Sequence, residues 1–350
     1  MVHQLSGEGW TCHVAVPGPP RLAVEYAEAG ATLHIVAMRR LTTSAGAGYW
    51  VRYALGWPLA VLRLFIVARR CRASVVHSNS LHSWYGWACA ALARRPHVWH
   101  AREIVTQSRA ALRVERTLTR RWAVRVIAVS EAVANQLDAA DVEVVTDEPD
   151  PEIWFPGRAG HWRKGMAIDD DALVLGSVAR IDTWKGFDVL LDAVPLIRAS
   201  FPDVVVVVAG AAVEGKEAYA ADLARRAGDL GVQWLGGRRD IPDLMADLDL
   251  FVQVSSTPEP WGMVHAEALA SGVAIVAGDE GGPVEILAGA SPRAGVLVGP
   301  RDAQAVAAAA IGLLERAPAG LAARQARPRL RLVDTAGRFG EIFDQVASCR

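Results

Sequence analysis

Five valines in a row, Val204 to Val208, constrain this chain more than any other stretch. A strand with one wetted face alternates apolar and polar residues, so an unbroken β-branched run belongs to a strand covered on both sides. Such strands occur in parallel sheets flanked by helices, and the rest of the chain repeats the plan, with short apolar runs separated by helical stretches. Strands are expected at 11–16, 32–36, 74–78, 97–100, 125–129 and 142–145, then at 173–177, 204–210, 233–235, 250–254, 274–277 and 295–298. Helices are expected between them, notably at 22–29, 50–70 and 109–121. The fold class is therefore α/β. With 350 residues, 52% of them hydrophobic, the chain can fill two separate cores. Residues 145–160, with three prolines and an acidic cluster, read as the linker between two domains.

Bulk charge removes one class of function. A formal net charge of −1 provides no global positive field for nucleic acid, so any basic site must be local. Four cysteines (Cys12, Cys71, Cys89 and Cys349) lie scattered without metal-ligand or paired spacing, which fits free thiols in a reducing, cytoplasmic compartment. The first residues lack the basic start and apolar run of a signal peptide. The best window for a membrane span, 55–68, is cut by Pro58 and Arg63. Residues 50–70 mix Trp, Leu, Val and Phe with Arg52, Arg63, Arg69 and Arg70. Such a stretch reads either as an ordinary helix with a solvated arginine edge or as a peripheral contact with an anionic membrane face.

The chemistry concentrates in the second half. In EPWGMVHAE, Glu259 and Glu267 bracket seven residues, a stretch that begins in a Pro-punctuated loop and runs into a helix ending near Gly272. Unpaired amides at such a helix start, from Trp261, Gly262 and Met263, together with adjacent carboxylates, suit a hydroxyl-rich or anionic ligand. Arg180 closes a strand, and Lys185 follows in WKGF before a helix, so two cations can converge on one diphosphate. Asp247 and Asp249 have an Asp, Leu, Asp spacing at a helix-to-strand junction, which reads as structural, and no metal ligand set is expected. Two loops after strands in the first half, HSNSLHSWYG (77–86) and WHAREI (99–104), should emerge at a sheet's carboxyl edge with His77, Asn79, His100, Arg102 and Glu103. A G-x-G-x-x-G after a strand and a P-loop are both missing, which disfavours a dinucleotide-dependent oxidoreductase.

Taken together, EPWGMVHAE, LGSVARIDTWKGFDVLLDA (175–193), VIAVSEAVANQL (126–137) and DEGGPVEIL (279–287) resemble, in order, the motifs of the retaining nucleotide-sugar glycosyltransferases of glycosyltransferase family four. The resemblance implies GT-B architecture, two Rossmann-like doubly wound domains facing a cleft, here 1–148 and 149–332, with a terminal helix at 333–350 returning to the first domain. It implies transfer from a uridine or guanosine diphosphate sugar to a glycan or lipid-linked acceptor in envelope or exopolysaccharide synthesis, with retention and without metal or other cofactor. Arg180 and Lys185 would hold the diphosphate, Glu267 the ribose diol, and Glu259 with the amides of Trp261, Gly262 and Met263 the donor sugar. Gly236 and Arg238 in GGRRDI would lie near the base. His100 would be catalytic, and His77, Asn79, Arg102 and Glu103 would face the acceptor. Asn79 stands where the family often has a second histidine. The family's opening strand and glycine-rich loop have no counterpart before the strand at 11–16, so an interrupted first sheet is expected, and with it an alternative function: nucleotide-sugar binding without turnover.

Overall fold

The computed structural model describes residues 1–19, 23–39, 46–106, 108–137, 142–290, 294–317, 320–328 and 337–348. Leu22, Cys349 and the expected helical residues 333–336 lie outside them. The chain divides into two compact units, Met1–Thr146 with Thr335–Arg350, and Asp147–Asp334.

The first unit contains β1 (His13–Val16), β2 (Thr32–Ile35), β3 (Val76–Ser78), β4 (His97–Ala101), β5 (Arg125–Ala128) and β6 (Val142–Val144). All pairs are parallel, but the strands form two sheets: β1 pairs with β2, and β3, β4, β5 and β6 form a separate row. The sheet is thus interrupted, as expected from the sequence. One core of this unit joins Leu5 from the helix Val2–Gly7 to Val98, Ile127 and Val145, and closes with Phe339, Ile342, Phe343 and Val346 from the helix Arg338–Ser348. Each of those four closing side chains removes enough apolar surface to contribute about 1.5–3 kcal/mol.

The helix Ala47–Arg70 corrects one expectation. It runs through Pro58 without a break and is long and apolar enough to cross a membrane by length and composition. Proline removes one hydrogen bond and crowds the carbonyl four residues back. Here both Pro58 and Ala54 are exposed, so water can take the freed carbonyl. Tyr53, Ala60 and Val61 pack this helix onto Tyr85 and Ala88 of the helix Tyr85–Ala93.

The second unit is one six-stranded parallel sheet: β7 (Val174–Val178), β8 (Val205–Ala209), β9 (Gln233–Gly236), β10 (Leu250–Gln253), β11 (Ala274–Gly278) and β12 (Gly295–Val298), in the order β12-β11-β10-β7-β8-β9. The valine run supplies β8, whose Val206, Val207 and Val208 are buried. Helices Phe187–Ser200 and Ala303–Leu314 contribute Leu190, Val194, Ile197, Ala307 and Ala310 to one core with Leu175, Val206 and Leu250. In this order successive strands run outward from β7 on one side, and the chain then returns to lay β10 against its other side. Loops after β7 and β10 therefore diverge to opposite faces and leave a crevice at their carboxyl ends, the usual ligand position in a doubly wound sheet.

Candidate functional site

Arg180 and Lys185 lie just beyond β7, and Ser255 through Glu259 just beyond β10, so both loops open at that crevice. Their approach depends on glycine. Gly186 has φ +73°, and a Cβ there would stand 1.9 Å from the carbonyl oxygen of Val254. Only glycine lets the Lys185 turn lie this close to the end of β10. Glu259 is held equally firmly: its carbonyl accepts from the Gly282 amide at 2.8 Å, and a Cβ on Gly281, at φ +78°, would come within 2.2 Å of that oxygen.

The result is a buried cluster. Lys185 Nζ donates to both carboxylate oxygens of Glu259, at 2.8 and 2.7 Å. Ser255 Oγ donates to Glu259 Oε2 at 2.8 Å, and Gln253 Nε2 donates to Ser255 Oγ at 2.7 Å. His265 Nε2 donates to the Gln253 carbonyl at 2.9 Å, which leaves His265 Nδ1 as the unprotonated nitrogen. Lys185 Nζ also stands 4.0 Å from the centre of the Trp184 ring. Burial lowers the Lys185 pKa, opposed by Glu259 and assisted by the like charge of Arg180, which places Arg180 in its electrostatic neighbourhood. Arg180 itself is exposed.

The helix Met263–Ala270 begins after Gly262, at φ +87°. Among the described residues no acceptor meets the amides of Gly262 and Met263, as expected at an uncapped helix start. Trp261 is 6% exposed and is pinned by its Nε1 donating to the Asp147 carbonyl at 2.8 Å, so its ring anchors this loop. Glu267 sits in the second turn, half-buried and without an ion pair among the described residues. Burial alone pushes its pKa up to about 7. A small cavity beside the cluster is lined by Ser255, Thr257, Glu259, His265, Asp279 and Glu280.

Gly236 ends β9 at φ +65°, its carbonyl accepting from the Gly210 amide at 2.8 Å. Arg238 is engaged with Asp240 through two bonds of 2.7 and 2.5 Å. Asp247 and Asp249 are buried in a charge network: Arg163 donates to Asp249 at 2.6 Å, Arg327 donates to Asp249 at 2.8 Å, and the Arg163 amide donates to Asp247 at 2.9 Å. Among the described residues no group of three or more His, Cys, Asp or Glu side chains could share a metal ion.

The first-unit residues behave differently from their sequence reading. His100 is expected at an exposed strand edge, yet it is fully buried in β4, with its ring 5.4 Å from Phe339 and 5.6 Å from His77. The covering helix comes from the far end of the chain, and no local pattern announces it. His77 is half-buried, 5.5 Å from Phe343, and Asn79 is exposed. Glu103 ties two loops together: its carboxylate accepts from Ser80 Oγ and, at 2.9 Å, from the Leu81 amide. Arg102 is half-buried beside it. His82, which the sequence reading does not single out, bonds the buried Glu115 at 2.7 Å, and that bond raises its pKa.

Burial holds His77 at about 4 and His97 at about 3, and His100 well below the ordinary value. A histidine kept neutral in the folded state stabilises it above the unfolded pKa of about 6.5, and that stability is lost as pH falls towards the folded value. Denaturant titrations are expected to lose up to about 1.4 kcal/mol per such histidine for each pH unit below about 6.5. His100→Leu should make this acid slope shallower; an unchanged slope would contradict the assignment.

Comparison with known proteins places this geometry. Two units built on parallel sheets, the second with cations after one central strand and acids after its neighbour, fall in the GT-B class of transferase fold. The family model for glycosyl transferases group 1 matches residues 160–327, and that for glycosyltransferase family 4 matches residues 1–146. The chain belongs to glycosyltransferase family four. It is 28% identical over 200 residues to the lipopolysaccharide core biosynthesis mannosyltransferase LpsB of Rhizobium meliloti, covering 55% of this chain and 56% of that one. It is 34% identical over 224 residues to the D-inositol 3-phosphate glycosyltransferase of Stackebrandtia nassauensis, covering 60% and 49%. The matched region thus spans about half the length of these relatives. In fold it is similar to Anabaena Alr3699/HepE solved with UDP and glucose, at TM-score 0.79 and 24% identity, covering 98% and 94% of the two chains. The glycosyltransferase WaaG aligns at TM-score 0.70 and 16% identity, covering 99% and 94%.

Proposed function

We propose that this protein transfers a sugar from a nucleoside diphosphate sugar to a hydroxyl of a glycan or lipid-linked acceptor, with retention of configuration and without a metal ion. The observation carrying this reading is the convergence of Lys185, Glu259 and the Arg180 charge at the β7/β10 crevice. As the anomeric bond breaks, charge gathers on the departing phosphate, where fixed cations in a partly dry site stabilise it more than they stabilise the bound donor. Arg180 and Lys185 fill that role, so no divalent ion is needed there. Before the donor arrives, Glu259 neutralises Lys185; a donor-sugar hydroxyl can then compete for Glu259 and release the ammonium towards the diphosphate. Glu267 takes the ribose diol with its two oxygens, and the amides of Gly262 and Met263 face the sugar. The acceptor attacks from the leaving-group side, and the phosphate takes its proton, so no protein nucleophile is assigned. His100, enclosed in β4, is given no contact with the reacting atoms. The free, disulfide-less thiols of Cys12, Cys71 and Cys89 suit a cytoplasmic setting.

A second reading, nucleotide-sugar binding without turnover, is favoured by the interrupted sheet of the first unit. Calorimetry and product analysis with uridine and guanosine diphosphates and their sugars, in chelator, test both readings. Glu267→Ala should weaken nucleotide and nucleotide sugar alike, by roughly tenfold to a hundredfold, because both contain the diol. Glu259→Ala should weaken the sugar-bearing ligand selectively. Equal nucleotide affinity in both variants and the parent protein would defeat this division. Activity restored only by added metal would defeat the metal-free mechanism, and binding without product would select the second reading.

A further inference from the structure

The helix Ala47–Arg70 has a second face that no described part of the protein covers. Val51, Leu55, Leu59, Leu62 and Ile66 are 58%, 76%, 51%, 49% and 38% exposed. Steps of three and four residues put them in one stripe along the helix, opposite the side that packs through Tyr53, Ala60, Val61 and Ala68. Scattered exposed apolar side chains are ordinary, but a continuous row of five is a surface built for contact.

Charge identifies the partner. From Ala29 to Arg102 the sequence contains ten arginines and not one Asp or Glu. Arg52, Arg63 and Arg70 are exposed and fall about 60–80° round the helix from the centre of the apolar stripe, while Arg69 closes its carboxyl end. An apolar stripe edged by arginine matches the layered chemistry of a bilayer surface, acyl chains beneath and anionic headgroups level with the guanidinium groups.

We infer that the Ala47–Arg70 face docks flat on an anionic lipid bilayer, with Leu55, Leu59 and Leu62 entering the acyl boundary and Arg52, Arg63 and Arg70 meeting the headgroups. A second copy is the weaker fit, because an isologous contact would oppose two arginine-edged stripes with no acid on either helix. Crossing the bilayer would require the helix to give up its packing through Tyr53, Ala60 and Val61 and to place Arg63 in hydrocarbon.

The full chain would be sedimented with sucrose-loaded vesicles of phosphatidylcholine alone or with about one third phosphatidylglycerol, alongside sedimentation velocity without lipid. The expected result is at least about tenfold more binding to the anionic vesicles, declining with added salt. Leu55→Ser/Leu59→Ser/Leu62→Ser and Arg63→Glu/Arg70→Glu should each reduce that binding about tenfold with unchanged circular dichroism and thermal unfolding, since all five positions are exposed. Equal binding to neutral vesicles would overturn the inference. So would retention released only by detergent, or a dimer that the leucine variant dissociates in the absence of vesicle binding.

Discussion

Arg180→Ala is expected to lower kcat/KM for sugar transfer by about 10²–10³ while leaving stability within about 0.5 kcal/mol of the parent. Lys185→Ala should lose activity to a similar degree and also destabilise the second unit by about 3–5 kcal/mol. The difference lies in what each cation touches. Arg180 is exposed, whereas Lys185 is 8% exposed and is the only cation bonded to the equally buried Glu259 among the described contacts. Removing it leaves a carboxylate stranded in a site that excludes water. Lys185→Met/Glu259→Gln removes both charges and should recover most of the stability but none of the activity. Denaturant titration and steady-state kinetics on the four proteins check this; equal stability of the two single variants would show that the buried pair does not hold the loops together.

Nucleotide affinity is expected to rise with pH through about 7, by up to tenfold per unit below that value, and to level off above it. Glu267 is the cause. Burial raises its carboxyl to about 7 from an ordinary 4.5, so in the empty protein it is largely protonated at pH 6. A ribose diol donates two hydrogen bonds and therefore prefers the carboxylate, so binding must remove the proton. The sign for stability is the reverse. The folded protein holds this proton more tightly than the unfolded chain does, so the group works against folding as pH rises from about 4.5 to about 7. Calorimetric affinities for uridine diphosphate across pH 6–8, compared with Glu267→Gln, cancel the ligand's own titration. A parent profile parallel to that of the variant would remove Glu267 from the diol.

The strands were readable because each carries its own evidence. Val204 to Val208 can hardly be other than a doubly covered strand, and every expected strand has a counterpart within a few residues. The Glu259 loop and the Lys185 turn were also visible, since proline, glycine and charge mark them locally. Their mutual contact was not, because Lys185 and Glu259 are 74 residues apart and meet through the small cross-section of Gly186. His100 was misplaced for the same physical reason: Phe339, which buries it, belongs to another end of the chain. Pro58 misled because a proline whose crowded carbonyl faces solvent costs a helix less than one in a dry interior. Ser255, Gln253 and His265 lacked a sequence signal altogether, their role being fixed by the register of β10 beneath Glu259.

The Arg163, Arg327 and Asp249 contacts have a further consequence. Arg163 lies shortly after the chain enters the second unit and Arg327 shortly before it leaves, and both are fastened to Asp249, the residue just before β10. Entrance and exit are thus stitched at one spot, and the intervening residues form a closed loop with its own clasp. A polypeptide arranged this way resembles a cassette whose two ends are held by charges of its own.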